Sequence, residues 1–122
     1  MKIRIKGNSI RIRLSKPEVA QLAETGFVSD RTAFANSHFS YEIRSEEGTG
    51  MLCADYKNNT ITMRVPAAFV NGWEHNDITG LDATMPISDS ETLYLLLEKD
   101  FKCVDKLAED QSEYYDHPSK IC

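Results

Sequence analysis

From Lys2 to Leu14 polar and apolar residues alternate, with Ile3 and Ile5 on one side of Gly7-Asn8 and Ile10, Ile12 and Leu14 on the other. Strict alternation interrupted by a Gly-Asn pair predicts a hairpin whose two legs share one apolar face. The register follows from that shared face: Ile5 lies opposite Ile10 and Ile3 opposite Ile12, which sets Arg4 against Arg11 and Lys2 against Arg13. Facing like charges cost roughly 0.2–1 kcal/mol per pair. A neutralising group, or an anionic ligand, is therefore expected on the polar face.

The same pattern returns further along. Lys6–Leu14 (KGNSIRIRL) overlays Lys57–Val65 (KNNTITMRV), placing Lys6 on Lys57, Asn8 on Asn59, Ile10 on Ile61 and Arg13 on Arg64. Each hairpin leads into a helical signal. In the first, Ser15-Lys-Pro-Glu18 has a capping-box pattern, Val19, Leu22 and Ala23 form an apolar face, and Gly26 supplies a stop. In the second, Pro66 precedes Phe69, Val70 and Trp73, with Gly72 shortening the helix. Extended patterns follow at about 28–34 and 38–45, then at about 79–85 and 91–99. The result is two ββαββ units, about 1–47 and 51–100, in one domain spanning 1–102. Matching Tyr41 to Tyr94 requires the offset to grow to 53.

The fold class expected is α+β: a curved, mainly antiparallel sheet or barrel of about eight strands, with two helices on one face. Ile3, Ile5, Ile10, Ile12 and Leu14, and Leu52, Ala54, Tyr56, Ile61, Met63 and Val65, are expected beneath the helices. The opposite face then carries Lys2, Arg4, Lys6, Arg11 and Arg13 with Cys53, Asp55, Thr62 and Arg64. A strongly twisted sheet of this size tends to curl or close, making that polar face concave.

Composition sharpens this picture. The 122 residues suit one domain with a real core, 41% hydrophobic and 27% charged, and lack an apolar run of membrane-spanning length. An alternating N-terminus without a continuous apolar segment makes the cytoplasm the default compartment. The net charge is −5, yet residues 1–14 contain five cations and no anion. That balance weighs against nonspecific nucleic-acid binding and leaves an anionic small molecule or a protein as the partner.

The leading candidate site is the basic face. Lys2, Arg4, Lys6, Arg11, Arg13 and Arg64 form an anion-binding set, the guanidinium groups providing bidentate contacts to phosphate or carboxylate. The competing interpretation is a solvated face neutralised by Glu42, Asp55 or the acidic tail 103–122. The tail holds five acids against two lysines. Cys53, Cys103, His117 and Cys122 are the cysteines and histidine available for a zinc site, but no CxxC or HxxxH spacing supports it and free thiols are the default. Neither a nucleophile elbow, a phosphate-binding glycine loop nor a dinucleotide fingerprint occurs, and no cofactor is expected. His38, His75 and His117 are assigned to loops. Leu93–Leu97 is apolar on both faces, as suits either a covered central strand or an edge used for dimerisation.

The opening MKIRIKGNSIRIRLSKPEV and the later LLLEKDFKC resemble the two ends of a family of short bacterial proteins of unknown function. That resemblance implies no catalytic residues. The repeated architecture is also similar to the triphosphate tunnel (CYTH-like) fold of adenylate cyclase and thiamine triphosphatase relatives. It implies a charged lumen and, as the alternative function, a hydrolase or transferase acting on a nucleotide or polyphosphate. Where those enzymes have an alternating Glu-x-Glu-x-Lys metal motif, this chain reads Lys2-Ile-Arg4-Ile-Lys6. Such an enzyme needs carboxylates beside the cations, with Glu42, Asp55 and Glu98 as the candidates.

Overall fold

The computed structural model describes residues 1–101. The opening alternation forms β1 (Lys2–Ile5) and β2 (Ser9–Leu14), antiparallel in the register set by the isoleucines: Ile3 faces Ile12, Ile5 faces Ile10, Arg4 faces Arg11 and Lys2 faces Arg13. Gly7 takes a positive φ of 54° in the turn. In the second hairpin both turn residues, Asn58 and Asn59, have positive φ, as tight turns between twisted strands favour. That hairpin joins β5 (Cys53–Lys57) to β6 (Thr60–Pro66).

Helix α1 (Lys16–Thr25) is delimited by its predicted signals. The Glu18 carboxylate accepts the Ser15 backbone N–H at 2.9 Å, and Gly26, in the left-handed region, donates its N–H to the Leu22 carbonyl. Val19 and Leu22 are buried, whereas Ala23, expected on the apolar face, is exposed. Helix α2 (Ala67–Val70) is a single turn. Gly72, at φ 82°, ends it and starts a 3₁₀ turn, Trp73–His75. Trp73 is fully buried, donates its indole N–H to the Ile78 carbonyl and packs against Phe69 at a ring-centroid separation of 5.0 Å.

The remaining strands are β3 (Phe27–Ala33), β4 (His38–Glu46), β7 (Gly80–Pro86) and β8 (Thr92–Lys99). The α+β expectation of eight strands is met, but they divide into two four-stranded sheets, β1-β2-β8-β7 and β3-β4-β6-β5. No closed barrel forms among the described residues. The lumen implied by the tunnel resemblance is therefore missing there. The sheets are mixed, because each central pair, β2–β8 and β4–β6, is parallel.

Strand exchange explains this division. Each hairpin pairs with the last two strands of the other half of the chain. β1–β2 joins β8–β7, and β5–β6 joins β4–β3, so the two sheets have the same order of equivalent strands. Corresponding bonds lock the parallel pairs: the Tyr94 N–H donates to the Asn8 carbonyl at 3.1 Å, and the Ser40 N–H to the Asn59 carbonyl at 2.9 Å. The register aligns Tyr41, opposite Ile61, with Leu95, opposite Ile10. Tyr94 is not its counterpart, and the offset at these strands is one residue larger than the sequence pattern indicated.

The apolar faces of both sheets meet in one core. Ile10, Ile12, Leu14, Leu95 and Leu97 from one sheet join Tyr41, Ile43, Ile61, Met63 and Val65 from the other, together with Val19, Leu22 and Trp73. Helix α1 contacts β2 as well as β3 and β4, and so bridges the sheets, while α2 packs on β4 and β6. Burial fades toward the edge strands: Ile5 is 54% exposed and Tyr56 62%, although both share the core-facing parity. No helix among the described residues is long and apolar enough to cross a membrane.

Candidate functional site

Alternation along β1 and β2 places Lys2, Arg4, Ser9, Arg11 and Arg13 on the face of their sheet opposite the isoleucines, with Lys6 entering the turn between them. Strand exchange completes that face with β8 and β7. One row across the sheet reads Lys2, Arg13, Glu98, Gly80; the next reads Arg4, Arg11, Leu96, Asp82; the third continues from Ser9 to Tyr94 and Thr84. The apolar second face of β8 thus lies beside the cations. β8 is a central strand between β2 and β7, not an edge.

Glu98 answers the electrostatic question raised by the opening hairpin. Its Oε1 accepts from Arg11 Nε at 2.5 Å and from Arg13 Nε at 3.0 Å, and its side chain is 14% exposed. Both bonds use Nε, and no described residue accepts from the terminal Nη nitrogens of either arginine. Gly80 makes room at this row. A Cβ there would lie 2.3 Å from the Leu97 carbonyl oxygen and 2.8 Å from Glu98 Cβ. At the end of the same row, Lys2 Nζ bonds Asp100 Oδ2 at 2.9 Å, and this bond, against a smaller opposing effect of burial, holds the Asp100 carboxyl below its ordinary range.

Arg4 and Lys6 make no ion pair with a described residue. Together with Ser9, Arg11, Tyr94 and Leu96 they line an open cleft of about 220 Å³. The Tyr94 hydroxyl donates to Asp82 Oδ2 at 2.8 Å, tying the far end of the ring to β7. That hydrogen bond, reinforced by burial and the nearby carboxylate charge, raises the Tyr94 pKa.

Arg64 is not brought to this cleft. It lies on β6 in the other sheet, where it bonds Asp55 at 2.5 Å and approaches Glu46 at 3.3 Å. Glu42 is also on that sheet, accepting from Arg44 Nε at 2.6 Å and from the Thr62 hydroxyl at 3.1 Å. Of the three carboxylates proposed to accompany the cations, only Glu98 does so, and it is already shared by two arginines. The expectation that both hairpins contribute to one polar face fails because they belong to different sheets.

Cys53 is partly buried on β5, opposite Arg64 in the ladder. Cys103, His117 and Cys122, like the acidic tail 103–122, lie outside the described residues, and no cluster of three metal-ligating side chains occurs within them. His38 begins β4 and His75 ends the 3₁₀ turn, not the loops expected for them.

Tyr94, Leu96, Asp82, Ser9 and Asp100 were missed as site residues by sequence reasoning. The signal available for the first two was the apolar parity of both faces of β8. Its meaning depended on which strand paired with β8. No curated protein and no solved structure gives a significant match to this chain. A sequence model of one family matches residues 1–119, so the chain belongs to a family of unknown function, DUF7009.

Proposed function

We propose that this protein is a noncatalytic, cytoplasmic binding module for an anionic, phosphorylated small molecule, held in the cleft of Arg4, Lys6 and Arg11. The observation carrying this reading is that Arg4 and Lys6 converge on the cleft without an ion-pair partner among the described residues, while Lys2, Arg13 and Arg64 each have one. Facing arginines oppose strand pairing, and a bound dianion converts that repulsion into charge-assisted hydrogen bonds. Among the described residues the cleft lining contains no carboxylate to activate water or hold a metal, which favours binding over hydrolysis.

The same reading treats residues 1–102 as a single domain formed by internal duplication. Support comes from the Lys6–Leu14 and Lys57–Val65 overlay and from the equivalent strand orders. Only one copy then carries the cleft. At the positions matching Arg4 and Arg11, the other sheet has Asp55 and Thr62.

The test is a thermal-shift and calorimetric titration with inorganic phosphate and pyrophosphate at low salt. A ligand that prefers the folded chain raises its melting temperature. Arg4→Gln with Lys6→Gln is expected to abolish the shift. Lys57→Gln, the equivalent charge removal on the other sheet, is expected to leave it unchanged. Equal effects from both changes, or no shift in the unsubstituted protein, contradict the assignment.

A further inference from the structure

The cleft extends into a face divided into three chemical zones. Arg4, Lys6 and Arg11 form the cationic zone on β1, its turn and β2. Tyr94 and Leu96 form an apolar strip on β8, with Tyr94 38% exposed. Asp82 on β7 supplies a carboxylate at the far side, paired across the sheet with Leu96. Three strand spacings separate β1 from β7, a span of about 14 Å.

Comparison of the two sheets shows that their shared strand order does not require this strip. By register, the positions matching Tyr94, Leu96 and Asp82 are Ser40, Glu42 and Ser29. A polar face is thus compatible with the same topology. Nor does simple phosphate binding account for an exposed aromatic ring held beside the cations. The hydroxyl bond to Asp82 tethers that ring at both ends, at its backbone on β8 and at its oxygen on β7, so the ring reaches across the sheet. A tethered ring of this kind offers a stacking surface. The second carboxylate oxygen of Asp82 accepts no hydrogen bond from another described residue, leaving an acceptor for a ligand N–H.

Resting on the anion-site reading above, we infer that the ligand class is a phosphorylated planar heteroaromatic amine, such as a purine nucleoside monophosphate. Its phosphate sits among Arg4, Lys6 and Arg11, its ring lies over Tyr94 and Leu96, and its amino group donates to Asp82. No covalent step is involved.

The experiment compares inorganic phosphate, ribose 5-phosphate, adenosine monophosphate and inosine monophosphate by calorimetry with the full chain and with Tyr94→Ala, Tyr94→Phe and Asp82→Asn. Adenosine monophosphate is expected to bind about tenfold more tightly than phosphate or ribose 5-phosphate, consistent with one stacked ring. Tyr94→Ala should erase that advantage, and Tyr94→Phe should keep most of it. Asp82→Asn should reduce the preference for adenosine over inosine monophosphate. Equal affinities for phosphate and both nucleotides, unaltered by Tyr94→Ala, overturn the ligand class and leave the anion site standing. Absence of binding by all four compounds overturns the anion site and this inference together.

Discussion

At the scale of single residues, the molecule turns on two carboxylates that each serve two cationic or N–H donors. Glu98 on β8 binds both Arg11 and Arg13 of the adjacent strand β2. Replacing it in Glu98→Gln removes the negative charge but keeps an amide oxygen, so stability should fall by about 1–3 kcal/mol in urea unfolding. Phosphate affinity should rise, because Arg11 is no longer neutralised; weaker binding contradicts its placement in the cleft. Glu18 accepts the N-terminal ammonium of Met1 at 2.6 Å and the Ser15 N–H at 2.9 Å. Burial opposes its ionisation, but the bonds from the N-terminal ammonium and Ser15 prevail and lower its pKa. A carboxyl with a depressed folded pKa stabilises the fold above its ordinary titration range, and this contribution disappears as pH falls through the folded value. Urea unfolding from pH 6 down to about pH 2 should show a steeper acid loss for the unsubstituted chain than for Glu18→Gln; parallel profiles contradict this role.

The β1–β2 register was legible in the sequence because the isoleucines allow only one pairing that shields them together, and Ser15, Glu18 and Gly26 marked both ends of α1. Sheet membership was not legible. Alternation fixes which side of a strand is apolar, but does not identify the neighbouring strand. Lys6 and Arg64 consequently looked like members of one site although they belong to different sheets. Gly80 was equally silent until β8 was placed beside it. Gly80→Ala would force a Cβ into the Leu97 carbonyl oxygen at 2.3 Å, and overpacking of this kind costs about 1–3 kcal/mol. Urea unfolding should show that loss; a stability within about 0.5 kcal/mol of the unsubstituted protein means β7 does not approach β8 so closely.

Strand exchange governs the molecule as a whole. In the first row of the face, Arg13 and Glu98 come together only across the β2–β8 junction, so the cation face depends on both halves of the chain. Neither 1–50 nor 51–122 holds, among its described strands, all four strands of either sheet. Expressed separately, neither fragment should be a cooperatively folding monomer, and mixing them should restore a folded 1:1 complex by circular dichroism and sedimentation. A half that unfolds cooperatively as a monomer contradicts the exchanged topology.

The central claim concerns where an anion is held, and arginine side-chain resonances report it most directly. In a nitrogen-correlated NMR titration with pyrophosphate, the Nε–H signals of Arg4 and Arg11 should shift saturably while those of Arg44 and Arg64 on the other sheet remain fixed. Uniform movement of all four signals, or no movement at Arg4, contradicts the account.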